Sequence, residues 1–226
     1  GLDIPLTDIG LDGRIGWSPR HPKALSLDGM KVALGRLAAT FSSDITLSDT
    51  LTVNSFTFDL PVTPVNDLIA LIPPAMRGEL SRLDTDLGIG LAVSTTAPFA
   101  VGVDSIPSLT LRAEIPEGSA RYDGMALDRF ELRAEAAIDG KDLDGSTLHL
   151  QRLYAQGLGI GFSLEGNVSH PLTDPRADGI FKGGLKFERL PKALLDLLPA
   201  TLHGLLKADC TFALRRSWLD SKNFHK

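Results

Sequence analysis

Five histidines (His21, His149, His170, His203 and His225), one cysteine (Cys210) and the carboxylate-rich run KDLDGS at 141–146 are the chain's candidates for chemistry. A hydrolytic zinc centre needs paired histidines at HExxH spacing with the glutamate between them. The histidines here are scattered through turns and polar strand positions, and none is paired in that way. Cys210 lies in an apolar alternation and reads as packing, and a lone cysteine cannot form an internal disulfide. Asp142, Asp144, Gly145 and Ser146 resemble the start of a calcium loop, but the downstream glutamate is missing and a hairpin turn is the better reading. No GxSxG elbow occurs, and Asn167-Val168-Ser169 is an isolated sequon. Lys207, Arg215 and Arg216 have the charge to meet phosphates, though as solvated strand residues they need no ligand. No catalytic residue, metal site or cofactor is expected.

The elements that would position any site are strands. Leu109, Leu111, Ala113 and Ile115 alternate with Thr110, Arg112 and Glu114. Phe130, Leu132, Ala134, Ala136 and Ile138 alternate with Arg129, Glu131, Arg133 and Glu135. Leu202, Gly204, Leu206, Ala208, Cys210, Phe212 and Leu214 continue the habit near the end. Period two over such lengths predicts strands with one apolar and one wet face. Expected strands are 24–28, 30–39, 44–48, 50–60, 75–80, 83–95, 109–115, 127–138, 146–155, 158–169, 179–188 and 200–216. Asp-Gly at 12–13, 28–29, 123–124, 139–140, 144–145 and 178–179 predicts tight hairpins in a meander. In GLGIGF, 157–162, three glycines are expected on one face of a strand.

Helix is scarce, and its plan occurs twice. LIALIPPAMRGEL at 68–80 and LLDLLPATLHGLL at 194–206 align without a gap, sharing Leu68/Leu194, Leu71/Leu197, Pro73/Pro199, Gly78/Gly204 and Leu80/Leu206 at an offset of 126 residues. Short helices are expected at 64–72 and 191–198, each opened by proline, stopped by proline and followed by a strand. In the first copy a bulge near Ser81–Arg82 would restore the apolar register. The segments 51–95 and 180–217 thus read as copies of one module, and the 226 residues as a single β fragment of a larger protein.

With 43% hydrophobic residues the chain has enough apolar side chains for a core. A net charge of −5 and 6% aromatics give neither the basic stripe nor the stacking platforms of a nucleic-acid binder. No apolar run reaches the length of a membrane-spanning helix. Residues 1–20, interrupted by Asp3, Asp8, Asp12, Arg14 and Arg20, hold no signal-peptide core.

Two helices of about nine residues, roughly 13 Å long, cannot roof a sheet of ten or more one-sided strands. The sheet must fold into a sandwich, close into a barrel, or form an open trough lined with apolar side chains. The small aliphatic inner rows, without the aromatic and disulfide pins of immunoglobulin-like cores, favour the trough.

The run 163–217 resembles the C-terminal repeats of bacterial AsmA-like proteins. The resemblance rests on Gly166, Val168, Pro171, Leu172, Asp174, Pro175, Gly179, Gly183, Pro199, Gly204 and Asp209. It covers about a quarter of the chain, and through the repeat it extends weakly to 50–95. It implies a mainly β fold: a long curved antiparallel meander forming an open, U-shaped apolar groove with short helices at repeat boundaries. It further implies a non-enzymatic protein on the periplasmic side of the Gram-negative envelope, held to the inner membrane by an anchor outside this fragment. Such proteins are linked to phospholipid movement between the membranes and to outer-membrane integrity. The partner would be a phospholipid or fatty-acyl ligand, with no nucleic acid. Residues expected to line the groove are Leu87, Ile89, Leu91, Val93, Leu109, Leu111, Phe130, Leu132, Ile160, Phe162, Leu206, Phe212 and Leu214. The competing reading is a sandwich-type binding or scaffold module of the envelope, in which the same residues pack a self-filled core.

Overall fold

The computed structural model describes residues 9–102, 106–190 and 203–218. Thirteen strands make one antiparallel sheet: β1 Ile9–Ser18, β2 His21–Leu34, β3 Leu37–Leu47, β4 Leu51–Pro64, β5 Leu83–Thr85, β6 Gly88–Thr95, β7 Phe99–Ala100, β8 Leu109–Tyr122, β9 Met125–Ile138, β10 Thr147–Gly157, β11 Ile160–Ser169, β12 Arg176–Lys186 and β13 Leu205–Arg215. The path runs β1-β2-β3-β4-β6-β8-β9-β10-β11-β12-β13, with β5 on β8 and β7 on β4. β1 and β13 end the path without pairing to each other, so the sheet is open. The fold is mainly β, a meander in which the described residues hold two short α-helices, α1 Val65–Ala70 and α2 Pro74–Arg77.

The local chemistry explains the meander. Asp123 and Gly124 have φ of 49° and 79°, and Leu158 and Gly159 have 53° and 79°. Two successive positive φ values make the type I′ turn whose twist matches the flanking strands. β5 and β6 lie end to end along β8, interrupted at Asp86–Leu87, where the Asp86 carboxylate accepts hydrogen bonds from the Ser119 N–H and hydroxyl. The Val65 N–H donates to the Leu87 carbonyl and Asn66 Nδ2 to the Thr85 carbonyl, which ties α1 to that break. Arg77 reaches back from α2, donating from Nε to the Ile72 carbonyl and from Nη2 to the Ala70 carbonyl, and so satisfies the C-terminal carbonyls of α1.

The structure corrects several expectations. Residues 75–80 are not a strand: Pro74 opens α2, and a 3₁₀ turn over Gly78–Arg82 follows. The proline pair therefore starts a second helical turn as well as stopping the first, and the register break lies at Asp86–Leu87 rather than at Ser81–Arg82. β2 runs through Asp28-Gly29 as a bulge, so 24–28 and part of 30–39 are one strand. The reversal falls at Gly35–Arg36, and 44–48 is the tail of β3. Of the six Asp-Gly pairs, Asp123-Gly124 alone makes a two-residue hairpin. Asp12-Gly13 lies opposite that same bulge of β2, and Asp178-Gly179 is mid-strand. The other two pairs lie in the longer β9–β10 connection, where Asp144 and Gly145 form a 3₁₀ turn. Gly157 and Gly161 point to opposite faces, because Leu158–Gly159 is a turn and Gly157 pairs with Ile160. The helix expected at 191–198 lies outside the described residues.

Candidate functional site

The register aligns the apolar rows across the sheet. Met30, Phe41, Phe58, Val93, Leu111, Ala136, Leu148, Val168, Ala177 and Leu214 stand directly opposite one another in turn, one from each strand from β2 to β13 along the path. No polar residue interrupts this row. A second row runs Ile115, Leu132, Leu153, Leu164, Phe181 and Cys210, and a third Leu127, Gly157, Ile160, Leu185 and Leu206. At about 4.8 Å per strand the first row would span roughly 43 Å if laid flat.

This face is sheltered without being covered. On β12 the apolar-face residues Ala177, Gly179, Phe181, Gly183 and Leu185 are half-buried, while Asp178, Ile180, Lys182 and Lys186 on the other face are exposed. Met30, Ala39 and Val53 are the buried hydrophobic residues of the described chain, and no side chain is fully enclosed. All three lie on the apolar face. Near the end that carries the Asp123-Gly124 and Leu158-Gly159 turns, Ala120, Met125, Leu127, Ala155, Ile160 and Phe162 line a concavity of about 410 Å³. The Phe162 and Phe181 rings stack 6.2 Å apart on the same face.

The opposite face is ionic. Arg112 Nε lies 2.7 Å from Glu135 Oε2 across β8–β9. Glu131, nearly buried, meets Arg152 Nε at 2.6 Å and Arg133 at 3.6 Å. Arg129 pairs with Glu117 at 2.5 Å, and the Tyr154 ring lies between the Arg129 and Arg152 guanidinium groups. These pairs offset most of one another's charge, although the Arg129 Nε is buried without a hydrogen-bond partner. The shifted carboxylates sit in strand breaks and connections. Asp86 is held below the usual carboxylate range by the Ser119 N–H, Asp144 by the Thr173 hydroxyl and N–H, and Asp174 by the Ser217 N–H. Glu188 is lowered chiefly by its own backbone N–H and then by that of Gly204. Each accepts backbone donors and fastens a connection. Among the described residues no group of three potential metal ligands converges.

The expected lining residues fall as follows. Ile89, Leu91, Val93, Leu109, Leu111, Phe130, Leu132, Ile160, Phe162, Leu206, Phe212 and Leu214 all occupy the apolar face. Leu87 stands apart, in the β5–β6 break, with its backbone tied to Thr85 and Val65. Lys207 and Arg215 lie on the wet face of β13, opposite Gly184 and Arg176, away from the apolar rows. Cys210 is exposed on the apolar face. Missed altogether were Ile9, Leu11, Ile15 and Trp17 of β1, whose alternation is broken only by Gly13 and was legible in IGLDGRIGW. The aromatic patch Phe41, Phe56 and Phe58 was visible in the alternation of TFSSD and SFTFDL. No protein-family model, curated protein or solved structure matches the chain.

Proposed function

We propose that the apolar face shelters the acyl chains of a phospholipid or fatty acid, as a non-enzymatic part of a system that moves phospholipid between the inner and outer membranes of a Gram-negative envelope. The observation that carries this reading is the unbroken apolar row from Met30 to Leu214, for which the described residues supply no second sheet and no α-helix of more than six residues. An acyl chain in water costs about 0.8 kcal/mol per exposed methylene, so laying some fifteen methylenes against such a face recovers on the order of 12 kcal/mol before the costs of immobilising the chain. The same contact shields the protein's own exposed apolar side chains. The polar headgroup stays in water beyond the strand ends, and no covalent step is needed. Attachment to the inner membrane through a segment outside this sequence belongs to the same proposal.

Protein purified without detergent, extracted into organic solvent and analysed by mass spectrometry is expected to yield phospholipid or fatty acid in roughly stoichiometric amount. Protein that is lipid-free and also fails to take up a fluorescent phospholipid from vesicles refutes the reading.

A further inference from the structure

Among the described residues β1 is an edge strand with no strand on its outer side, and its sequence is a palindrome in residue character. Around Gly13, IGLDGRIGW reads apolar, glycine, apolar, acid, glycine, base, apolar, glycine, apolar. Ile9, Leu11, Ile15 and Trp17 are 69%, 67%, 67% and 58% exposed. Edge strands of this length are ordinarily protected by proline, a lysine aimed inward or a covering loop, because their free N–H and C=O groups recruit another strand. Among the described residues β1 has none of these.

We infer that β1 is a homodimerisation strand, pairing antiparallel with β1 of a second copy about a twofold axis through Gly13. In that register Ile9 faces Trp17, Leu11 faces Ile15, Asp12 faces Arg14, and each glycine faces a glycine. The twofold axis stands perpendicular to the sheet, so the apolar faces of both copies lie on the same side. The rows continue across the seam: Val32 and Leu11 of one copy lead to Ile15 and Leu27 of the other, and Leu34 and Ile9 to Trp17 and Leu25.

Charge complementarity selects this occupant. Within one copy Arg14 stands opposite Asp28, and Asp12 opposite Lys31. Across the seam the wet face then reads Asp28, Arg14, Asp12, Lys31, alternating in sign over four strands, twice by symmetry. Opposite charges directly across an antiparallel pair stabilise it, and like charges destabilise it. The strand at the other end of the path lacks this property: full-length self-pairing of β13 sets Leu205 against Arg215, Lys207 against Ala213 and Asp209 against Thr211. Nor does β13 suit β1 head to tail. The alternating path makes the two edges run in the same direction, so they could meet in a continued sheet only as a parallel pair. Self-pairing at β1 is isologous and closes at two copies.

The test uses the 226-residue chain and two charge reversals, Asp12→Lys and Arg14→Asp. Each alone sets like charges against each other twice across the seam, whereas a mixture of the two restores opposite charges at both positions. Sedimentation is expected to show a concentration-dependent dimer for the parent chain, at least tenfold weaker self-association for each variant, and recovery in the equimolar mixture. Trp17, whose Nε1 donates to the Pro22 carbonyl at 3.2 Å, reports whether β1 stays on β2. Hydrogen exchange of the parent protein, at low and high concentration, gives a readout free of mutation and is expected to show new protection confined to 9–17. A parent chain monomeric at 100 μM overturns the inference. So do variants that dimerise unchanged, a mixture that fails to recover while Trp17 emission is native, or protection that appears at 205–215 instead.

Discussion

Leu111→Asp separates an uncovered face from a closed core. Leu111 stands mid-row between Val93 and Ala136 and is half-buried. Full burial of a leucine is worth about 1.5–3 kcal/mol. A half-buried one forfeits about 1 kcal/mol, and aspartate's poor fit to a strand adds up to about 1 more. A total near 2 kcal/mol lowers the melting temperature of a chain this size by about 4–8 °C. In a dry two-layer core the same carboxylate would cost more than about 4–5 kcal/mol and take the fold with it. Binding suffers differently: three or four methylenes denied burial at about 0.8 kcal/mol each amount to roughly 3 kcal/mol, or on the order of 100-fold weaker uptake. Thermal melting and fluorescent-phospholipid titration, run side by side, read both quantities. Thr110→Asp, on the wet face between Ser94 and Ala137, is the control and should change uptake little. A Leu111→Asp protein that cannot fold shows the face to be a packed core. One that folds and takes up lipid normally shows that lipid does not lie there. Either result refutes the argument.

Glu131→Gln keeps the shape but removes the charge facing Arg152 and Arg133; because Arg152 is partly solvated, a cost of about 1–2 kcal/mol is expected in chemical denaturation. Gly179→Val is expected to cost about 2 kcal/mol or more and to be read as a lower melting temperature, since a Cβ there would sit 2.2 Å from the Glu165 carbonyl oxygen and 2.9 Å from Gly166 Cα, both backbone. Asp86, Asp144, Asp174 and Glu188 are depressed in the folded state, so their contribution is present above the unfolded carboxylate range and is lost as pH falls through the folded values. Hydrogen exchange below about pH 4 should therefore loosen the 170–175 connection held by Asp144 before the central strands, and Asp144→Asn should reproduce this at neutral pH.

The strands carrying the strongest alternation were legible because period two is a direct consequence of a sheet with one wet face. β9, β10 and β11 lie close to where their sequences place them. Bulges defeated the same rule elsewhere. β2 changes register at Asp28-Gly29 and β8 near Gly118, and at each point the alternation shifts and imitates a strand end. Asp-Gly misled for a related reason: the positive φ that suits a hairpin also suits a bulge, as Gly29 at 57° shows. Pro73-Pro74 reads as a terminator because the residue before a proline avoids the helix, yet a proline is also a good first residue of the next helix. The shared face of Ile89, Leu111, Phe162 and Phe212 followed from alternation alone. That their rows align across ten strands is a matter of inter-strand register, which a single strand's sequence does not contain.

A single-layer sheet also dictates how a ligand should act on stability. Tertiary contacts in this molecule run chiefly between neighbouring strands, with no opposing layer among the described residues to couple distant ones. Stability then behaves as a chain of nearest-neighbour terms, as in repeat proteins, and the outer strands open more readily than the centre. An acyl ligand lying across the rows would touch several strands at once and serve as the missing layer. A ligand present at 100 times its dissociation constant adds about 2.7 kcal/mol, which raises the melting temperature by about 5–11 °C. The unfolding transition should also sharpen, because strands that opened independently become coupled through the ligand. A titration of fatty acid below its micellar concentration, followed by circular dichroism, measures both effects. A melting curve that neither shifts nor sharpens as fatty acid is added would mean that the exposed face, however apolar, is not where lipid settles.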